Sequence, residues 1–129
     1  MAVGGFIDKT TAGLLKAAQG TFLRQQVIAS NLANAETPGY KALEVDFEAA
    51  LAMALRDSGD GAEAVERVRR VPISVQLRPT APQRWDENNV NPEEEMVELA
   101  AAATQHAAVV RLLARKLRML HLAISGRVE

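Results

Sequence analysis

The apolar residues in the last third of the chain recur at alternating steps of three and four. The series consists of Met96, Leu99, Ala103, His106, Val110, Leu113, Leu117, Leu120 and Ile124. This spacing places all of these positions on one face of a helix and is typical of a coiled-coil seam. The sequence therefore predicts one long helix that carries an apolar stripe along its whole length.

Residues at both ends of this segment mark where the helix begins and stops. Asn91 is placed to cap the helix, Pro92 takes its first position, and Glu94 stands three residues after the cap, as in a capping box. Gly126 follows the last apolar position and predicts the end. The span from Glu93 to Ile124 is about 48 Å long at 1.5 Å per residue. A compact chain of this size has a radius of gyration of only about 14 Å, so the helix is too long to be covered by its own chain.

A second helix is predicted near the start, from Asp8 to Asn34. Its seam has two interleaved series at seven-residue spacing, namely Leu15, Phe22 and Ala29 with Ala18, Gln25 and Leu32. Gly13 and Gly20 interrupt the pattern, and each lowers helix stability by about 1 kcal/mol relative to Ala. We therefore expect a helix that depends on its neighbours for stability.

The middle of the chain has a different composition. Four of its residues are prolines, and residues 57–61 alternate Asp, Ser and Gly, which predicts a flexible turn or a disordered loop. Phe47, Leu51 and Leu55 predict a short helix between Val45 and Leu55. The rough alternation from Val65 to Leu77 instead favours a strand or an extended arm.

These elements predict a mainly α fold. Long N- and C-terminal helices pair as an elongated coiled coil, and the middle segment is irregular or contains short β structure. We divide the chain into an N-terminal helix (residues 1–37), a turn with a short helix and a variable extended or disordered segment (38–90), and a C-terminal coiled-coil helix (91–129). The apolar stripes exceed what the chain can bury by itself, so we expect other chains to cover them.

Composition narrows the functional classes. Fifteen Lys and Arg residues against 16 Asp and Glu residues leave a net charge of -1, which argues against binding to nucleic acid through a broad positive field. No apolar run has the length of a transmembrane helix, and the first 30 residues lack the pattern of a cleavable secretion signal. The absence of cysteine removes disulfides and thiol chemistry.

Three stretches together resemble a known family. Residues 27–41, with the sequence VIASNLANAETPGYK, are similar to the N-terminal signature of the bacterial flagellar axial proteins of rod and hook. Residues 40–51, and residues 88–96 with 113–124, resemble the proximal rod members of that family. The resemblance covers both ends of the chain and leaves residues 56–86 unmatched.

The resemblance implies a structural subunit of the proximal rod of the flagellar basal body. Such a subunit is exported without a cleaved signal and polymerises through its terminal helices into a hollow drive shaft in the periplasmic space. The implied partners are further copies, other rod proteins, and proteins at the junction with the membrane ring and the export apparatus. Neither a small-molecule substrate, a cofactor, nucleic acid nor direct insertion into the membrane is implied.

The signature positions form the predicted assembly site. They are Asn31, Asn34, Thr37, Pro38, Gly39 and Tyr40. The two asparagines offer amides to the free carbonyls at the helix end, and Pro38 with Gly39 fits a type II turn in which Gly takes the positive φ. Tyr40 can bury its ring while its hydroxyl is hydrogen-bonded.

Other functions have weaker support in the sequence. A lone His106 could be a phosphotransfer site, but its neighbours favour a place in the seam, and His121 is about 22 Å further along the helix, too far to share a metal ion. Glu93, Glu94 and Glu95 are best explained as partners of the helix dipole. Trp85 is either an interface anchor or a loop residue folded over the helices. No catalytic motif appears, and the main alternative is a free-standing helical adaptor or export chaperone.

Overall fold

A computed structural model describes residues 7–57, 59, 61–79 and 82–126 of the chain. The elements follow one another as α1 (Lys9–Ala33), β1 (Leu43–Asp46), α2 (Glu48–Arg56), α3 (Ala62–Arg69), β2 (Ser74–Leu77) and α4 (Pro92–Ser125). The predicted mainly α fold, with two long terminal helices and short β structure between them, is confirmed.

The two long helices pair side by side in opposite directions. Asp8 at the start of α1 lies 2.9 Å from Lys116, Thr21 lies 2.8 Å from the ring of His106, and Asn31 near the end of α1 reaches Glu95. Residue numbers therefore rise along one helix as they fall along the other. Their predicted limits are close to those observed, since Asp8 caps α1 and Asn91 and Gly126 cap α4.

Only four of the nine positions of the predicted stripe on α4 lie towards α1. Leu99, His106, Leu113 and Leu120 are partly buried, but Met96, Ala103, Val110, Leu117 and Ile124 are exposed. Their places against α1 are taken by residues one position earlier, above all Glu95 and Ala102, which are 0% and 3% exposed. On α1, Ala18, Gln25 and Leu32 are partly buried, whereas Leu15, Phe22 and Ala29 are exposed.

The middle segment packs against the face of α1 that points away from the exposed residues Leu15, Phe22 and Ala29. Strands β1 and β2 pair antiparallel, with Leu43 opposite Leu77 and Asp46 opposite Ser74. The core beneath them joins α1, β1, α2 and the end of α3, with residues Ala12, Val27, Val45, Phe47, Leu51, Val68 and Val71. Gly20 makes room for this layer, because a Cβ at that position would lie 2.3 Å from Cε1 of Phe47.

Two predictions for the middle segment need correction. The short helix begins at Glu48 and not at Val45, since residues 43–46 pair with β2 as a strand. The strand or extended arm predicted from Val65 to Leu77 is observed only at residues 74–77, because residues 62–69 form the helix α3. Ala64 and Val68 lie one helical turn apart and are both buried, so their helical spacing outweighed the β-branched composition. Residues 58 and 60 of the predicted flexible loop lie outside the described residues.

Candidate assembly site

The chain turns sharply just after α1. The backbone N–H of Tyr40 donates to the carbonyl of Thr37 at 3.2 Å, and Gly39 has φ of +76°. With Pro38 in the preceding position, these values are those of a type II turn, as the sequence predicts. The Gly39 amide also donates to the carbonyl of Asp86 at 2.8 Å, which ties the turn to the segment before α4.

Asn34 closes the end of α1. Its side-chain amide donates to the carbonyl of Ser30 at 2.8 Å, and its side-chain oxygen accepts from the Thr37 hydroxyl at 3.1 Å. The Ser30 carbonyl also accepts from the backbone N–H of Asn34 at 3.1 Å, so the side-chain amide adds a second bond at the helix end. Asn34 and Thr37 therefore hold the beginning of the turn against the helix that precedes it.

Asn31 is fully buried and connects three parts of the chain. Its amide nitrogen donates to the carbonyl of Leu43 at 2.9 Å and to the carboxylate of Glu95 at 3.2 Å. Its amide oxygen accepts from the N–H of Leu43 at 3.0 Å and from the hydroxyl of Tyr40 at 3.1 Å. One side chain thereby joins the end of α1, the start of β1 and the first turns of α4.

Glu95 completes this network, although the sequence indicated only an interaction with the helix dipole. Its carboxylate is 0% exposed, and it accepts a charge-assisted hydrogen bond from the guanidinium of Arg78. The bond to Glu95 raises the pKa of Arg78 above its ordinary value. A carboxylate buried this deeply needs such a partner. Arg78 is far from Glu95 in the sequence, so no local pattern could have predicted the pair.

Two further asparagines hold the turn, Asn88 and Asn89, for which the sequence predicted no role. The amide of Asn88, which is fully buried, donates to the carbonyls of Asn34 and Thr37 at 2.9 and 2.8 Å. The side-chain oxygen of Asn89 accepts from the N–H of Ala42 at 2.6 Å. Both asparagines lie within residues 88–96, which resemble the family, but nothing in the sequence indicated that they are buried.

The predicted cap of α4 is present in part. The Asn91 side chain accepts from the N–H groups of Glu93 and Glu94, at 3.1 and 3.5 Å. Pro92 follows at the first helical position. Among the described residues, the Glu94 carboxylate makes no return bond to the cap, so the reciprocal half of the capping box does not form.

One face of the paired helices is uncovered, and we call it the outer face. It consists of Leu15, Gln19, Phe22, Gln26, Ala29 and Ala33 on α1 with Met96, Ala100, Ala103, Ala107, Val110, Ala114 and Leu117 on α4. All of these residues are exposed except Ala107, which is partly buried. Each series repeats in steps of three and four, so each occupies one side of its helix. At its inner edge, Phe22 contacts α4, with its ring centroid 6.0 Å from that of His106. None of these residues carries a charge.

His106 and Trp85 are placed very differently. The His106 ring is half-buried between the helices, with one ring nitrogen 2.8 Å from the Thr21 hydroxyl. Trp85 is 97% exposed, so it is not folded over the helix pair. Within the described part of the chain, His, Asp and Glu side chains do not come together in groups of three, as a metal site would need. None of the described helices combines the length and the apolar character that a membrane span requires.

Comparison with known protein families indicates the class of protein. Residues 15–41, which comprise most of α1 and the turn after it, match the family model described as "Flagella basal body rod protein". This part of the chain is therefore similar to flagellar basal body rod proteins.

The relatives narrow the assignment to one family. The flagellar basal body rod protein FlgB of Cereibacter sphaeroides is 33% identical over 118 residues, which cover 80% of this chain and 84% of the relative. FlgB of Escherichia coli strain K12 is 28% identical over 116 residues, with the same coverage of both chains. FlgB of Aeromonas hydrophila is 29% identical over 109 residues, covering 80% of this chain and 83% of the relative. The chain belongs to the FlgB family of flagellar basal body rod proteins, and it is a structural protein.

Proposed function

We propose that this chain is built into the proximal part of the flagellar rod by burying its outer face against neighbouring subunits. The observation that carries the proposal is the exposure of large apolar side chains on that face. Phe22 is 52% exposed, Met96 63% and Leu117 51%. Burying one side chain of this size contributes about 1.5 to 3 kcal/mol, so several together can hold a subunit in place.

The composition of the outer face favours helices as its partners. Small residues stand between the large ones on both helices, as Ala100, Ala103, Ala107 and Ala114 do on α4. Alanine in a helix face allows another helix to approach closely, while the larger residues fill the space between them. Because the face has no charge, its burial leaves no ion without a partner.

The polar network at the end of α1 has a separate role in this proposal. Asn31, Glu95 and the turn of Thr37 to Tyr40 fix the position of α1 relative to α4. Only with that arrangement do the apolar series of the two helices form a single face. The signature residues therefore act on assembly indirectly, by shaping the terminal helices as an axial core, while the middle segment supports α1 from behind.

The remaining parts of the proposal concern location and partners. The chain is exported without cleavage of a signal peptide and functions in the rod within the periplasmic space. Its neighbours are further copies, other rod proteins, and proteins at the junction with the membrane ring and the export apparatus. It has no catalytic activity and takes no cofactor. Family membership supports assembly with rod components in general.

The experiment places a charge on the outer face of the folded chain. Val110 is 42% exposed, so Val110→Asp should change the free energy of unfolding of the monomer by less than about 1 kcal/mol. In a rod, the same carboxylate would be buried without a partner. We expect the variant to be exported but absent from purified basal bodies, and the cells to be non-motile.

Thr104→Asp is the matched control. Thr104 lies on the same helix and is exposed, but it is two residues from both Ala102 and His106 and so lies on the side of α4 opposite its contact with α1. It gains the same charge and should still be incorporated, as measured by immunoblot of purified basal bodies. Normal incorporation of Val110→Asp, at expression equal to the control, would show that the outer face is not the assembly surface.

A further inference from the structure

A groove on the other side of the helix pair has a distinct chemistry. It lies between α1, β1 and the first half of α4 and encloses about 530 Å³. Its floor is apolar, with Val27, Ile28 and Val45 all less than 9% exposed. Five glutamates and two arginines line it, which leaves an excess of three negative charges.

Most of the rim charge is available to a partner. Glu94 and Glu98 are exposed on α4 and form no ion pair within the described residues. Both groove arginines are already engaged inside the chain, Arg24 with Glu48 and Arg78 with Glu95. The groove therefore offers apolar floor and unneutralised carboxylates, which suits a basic segment with apolar side chains between its charges.

The last turns of α4 have this composition. Arg111, Arg115 and Arg118 are exposed, and none of them pairs with a carboxylate in the part of the chain that the structure describes. Spaced by four and three residues, they share one side of the helix. Leu112 and Met119, beside them, are 50% and 58% exposed. We call this the basic patch.

We propose that the basic patch of one copy docks into the acidic groove of a second copy of this chain. This inference rests on the proposed rod function and names one contact within it. Charge and apolar area match on both sides, since Arg111 and Arg115 meet Glu94 and Glu98 while the exposed apolar side chains cover the floor. The groove and the patch are different surfaces of one helix, separated by about 21 Å between residues 101 and 115. Because the two surfaces differ, one copy can join the next head-to-tail, with a free groove at one end and a free patch at the other.

The test exchanges the charges of one pair. Glu98→Arg and Arg115→Glu are made separately and together in the full chain, and self-association is measured by sedimentation velocity at low and high salt. Each single reversal places like charges against each other, and we expect at least a tenfold weaker association at low salt. The double variant restores opposite charges and should return to within about threefold of the unaltered chain. High salt should weaken the association of the unaltered chain as well.

Matched controls reverse charges elsewhere. Glu63→Arg on α3 and Arg56→Glu at the end of α2 make the same changes in net charge at exposed positions outside the groove and the patch. They should leave self-association unchanged. Circular dichroism of every variant verifies that the helices are intact.

Three results would overturn the docking proposal. The first is no effect of either single reversal, and the second is a double variant no better than the singles. The third is loss of incorporation into basal bodies by Glu98→Arg while self-association is unaltered, which would assign the groove to a different rod protein. The rod function itself is tested separately by Val110→Asp, so failure of this contact leaves that result standing.

Discussion

Replacement of Asn31 by Ala removes only a few atoms, but it should strongly destabilise the folded chain. The side chain is fully buried and makes four hydrogen bonds, to both backbone groups of Leu43, to the Tyr40 hydroxyl and to Glu95. A net contribution of about 1 kcal/mol for each bond gives a loss of about 4 kcal/mol. Because ordinary domains have 5 to 15 kcal/mol of stability in total, Asn31→Ala should bring the chain close to unfolding.

The assay is denaturant unfolding of the purified chain, followed by circular dichroism. Asn34→Ala is the control, since the side chain of this neighbouring asparagine bonds only to Ser30 and Thr37 in the described structure, and its loss should cost about 1 kcal/mol. Tyr40→Phe removes one bond of the network and should also cost about 1 kcal/mol. Combined with Asn31→Ala, it should add almost nothing, because the bond is already absent.

Two results would refute this account of the network. One is a cost of Asn31→Ala no larger than that of Asn34→Ala, which would mean that the buried amide contributes little. The other is full additivity of Asn31→Ala and Tyr40→Phe, which would mean that the two side chains do not act together.

Two further predictions concern packing and charge in α1. Gly20→Ala should lower the free energy of unfolding by about 1 to 3 kcal/mol, because the new Cβ overlaps Phe47. Gly13→Ala is the control and should not lower it, since its Cβ would meet only the flexible tip of Leu55, 3.1 Å away. Equal losses of stability in the two variants would contradict this prediction. Although burial raises the pKa of Asp8, hydrogen bonds from Lys116 and from the start of the helix lower it to about 2. The ionised form is thus favoured by folding, so this contribution to stability is complete above the ordinary pKa of 3.8 and is lost as the pH falls towards 2. Asp8→Asn, which keeps a capping side chain, should reduce the loss of stability between pH 5 and pH 2 in urea titrations, and an unchanged pH dependence would refute the assignment.

The sequence was most informative where the structure is local. The limits of α1 and α4 depend on cap residues and apolar spacing within a few turns, and Asp8, Asn91 and Gly126 mark them correctly. The turn at Pro38 and Gly39 likewise follows from the conformations that these two residues allow.

The features that the sequence did not predict depend on residues distant along the chain. Glu95 faces α1 in place of Met96 because Arg78 and Asn31 supply partners that make burial of its charge tolerable. A heptad pattern is recognised by its apolar residues. It therefore predicted that Met96 contacts α1, whereas the preceding residue, Glu95, does so. Residues 62–69 form a helix because Val68 is buried in the core beside α1, a contact that the alternation of apolar residues does not reveal.

The buried amide and carboxylate lie at one end of the helix pair, where α1 stops and α4 starts. Further polar contacts follow along the pair, between Thr21 and His106 and, at its opposite end, between Asp8 and Lys116. Sliding one helix past the other by a helical turn would break all of these bonds at once. The pair should therefore keep its register when the subunit carries a torsional load.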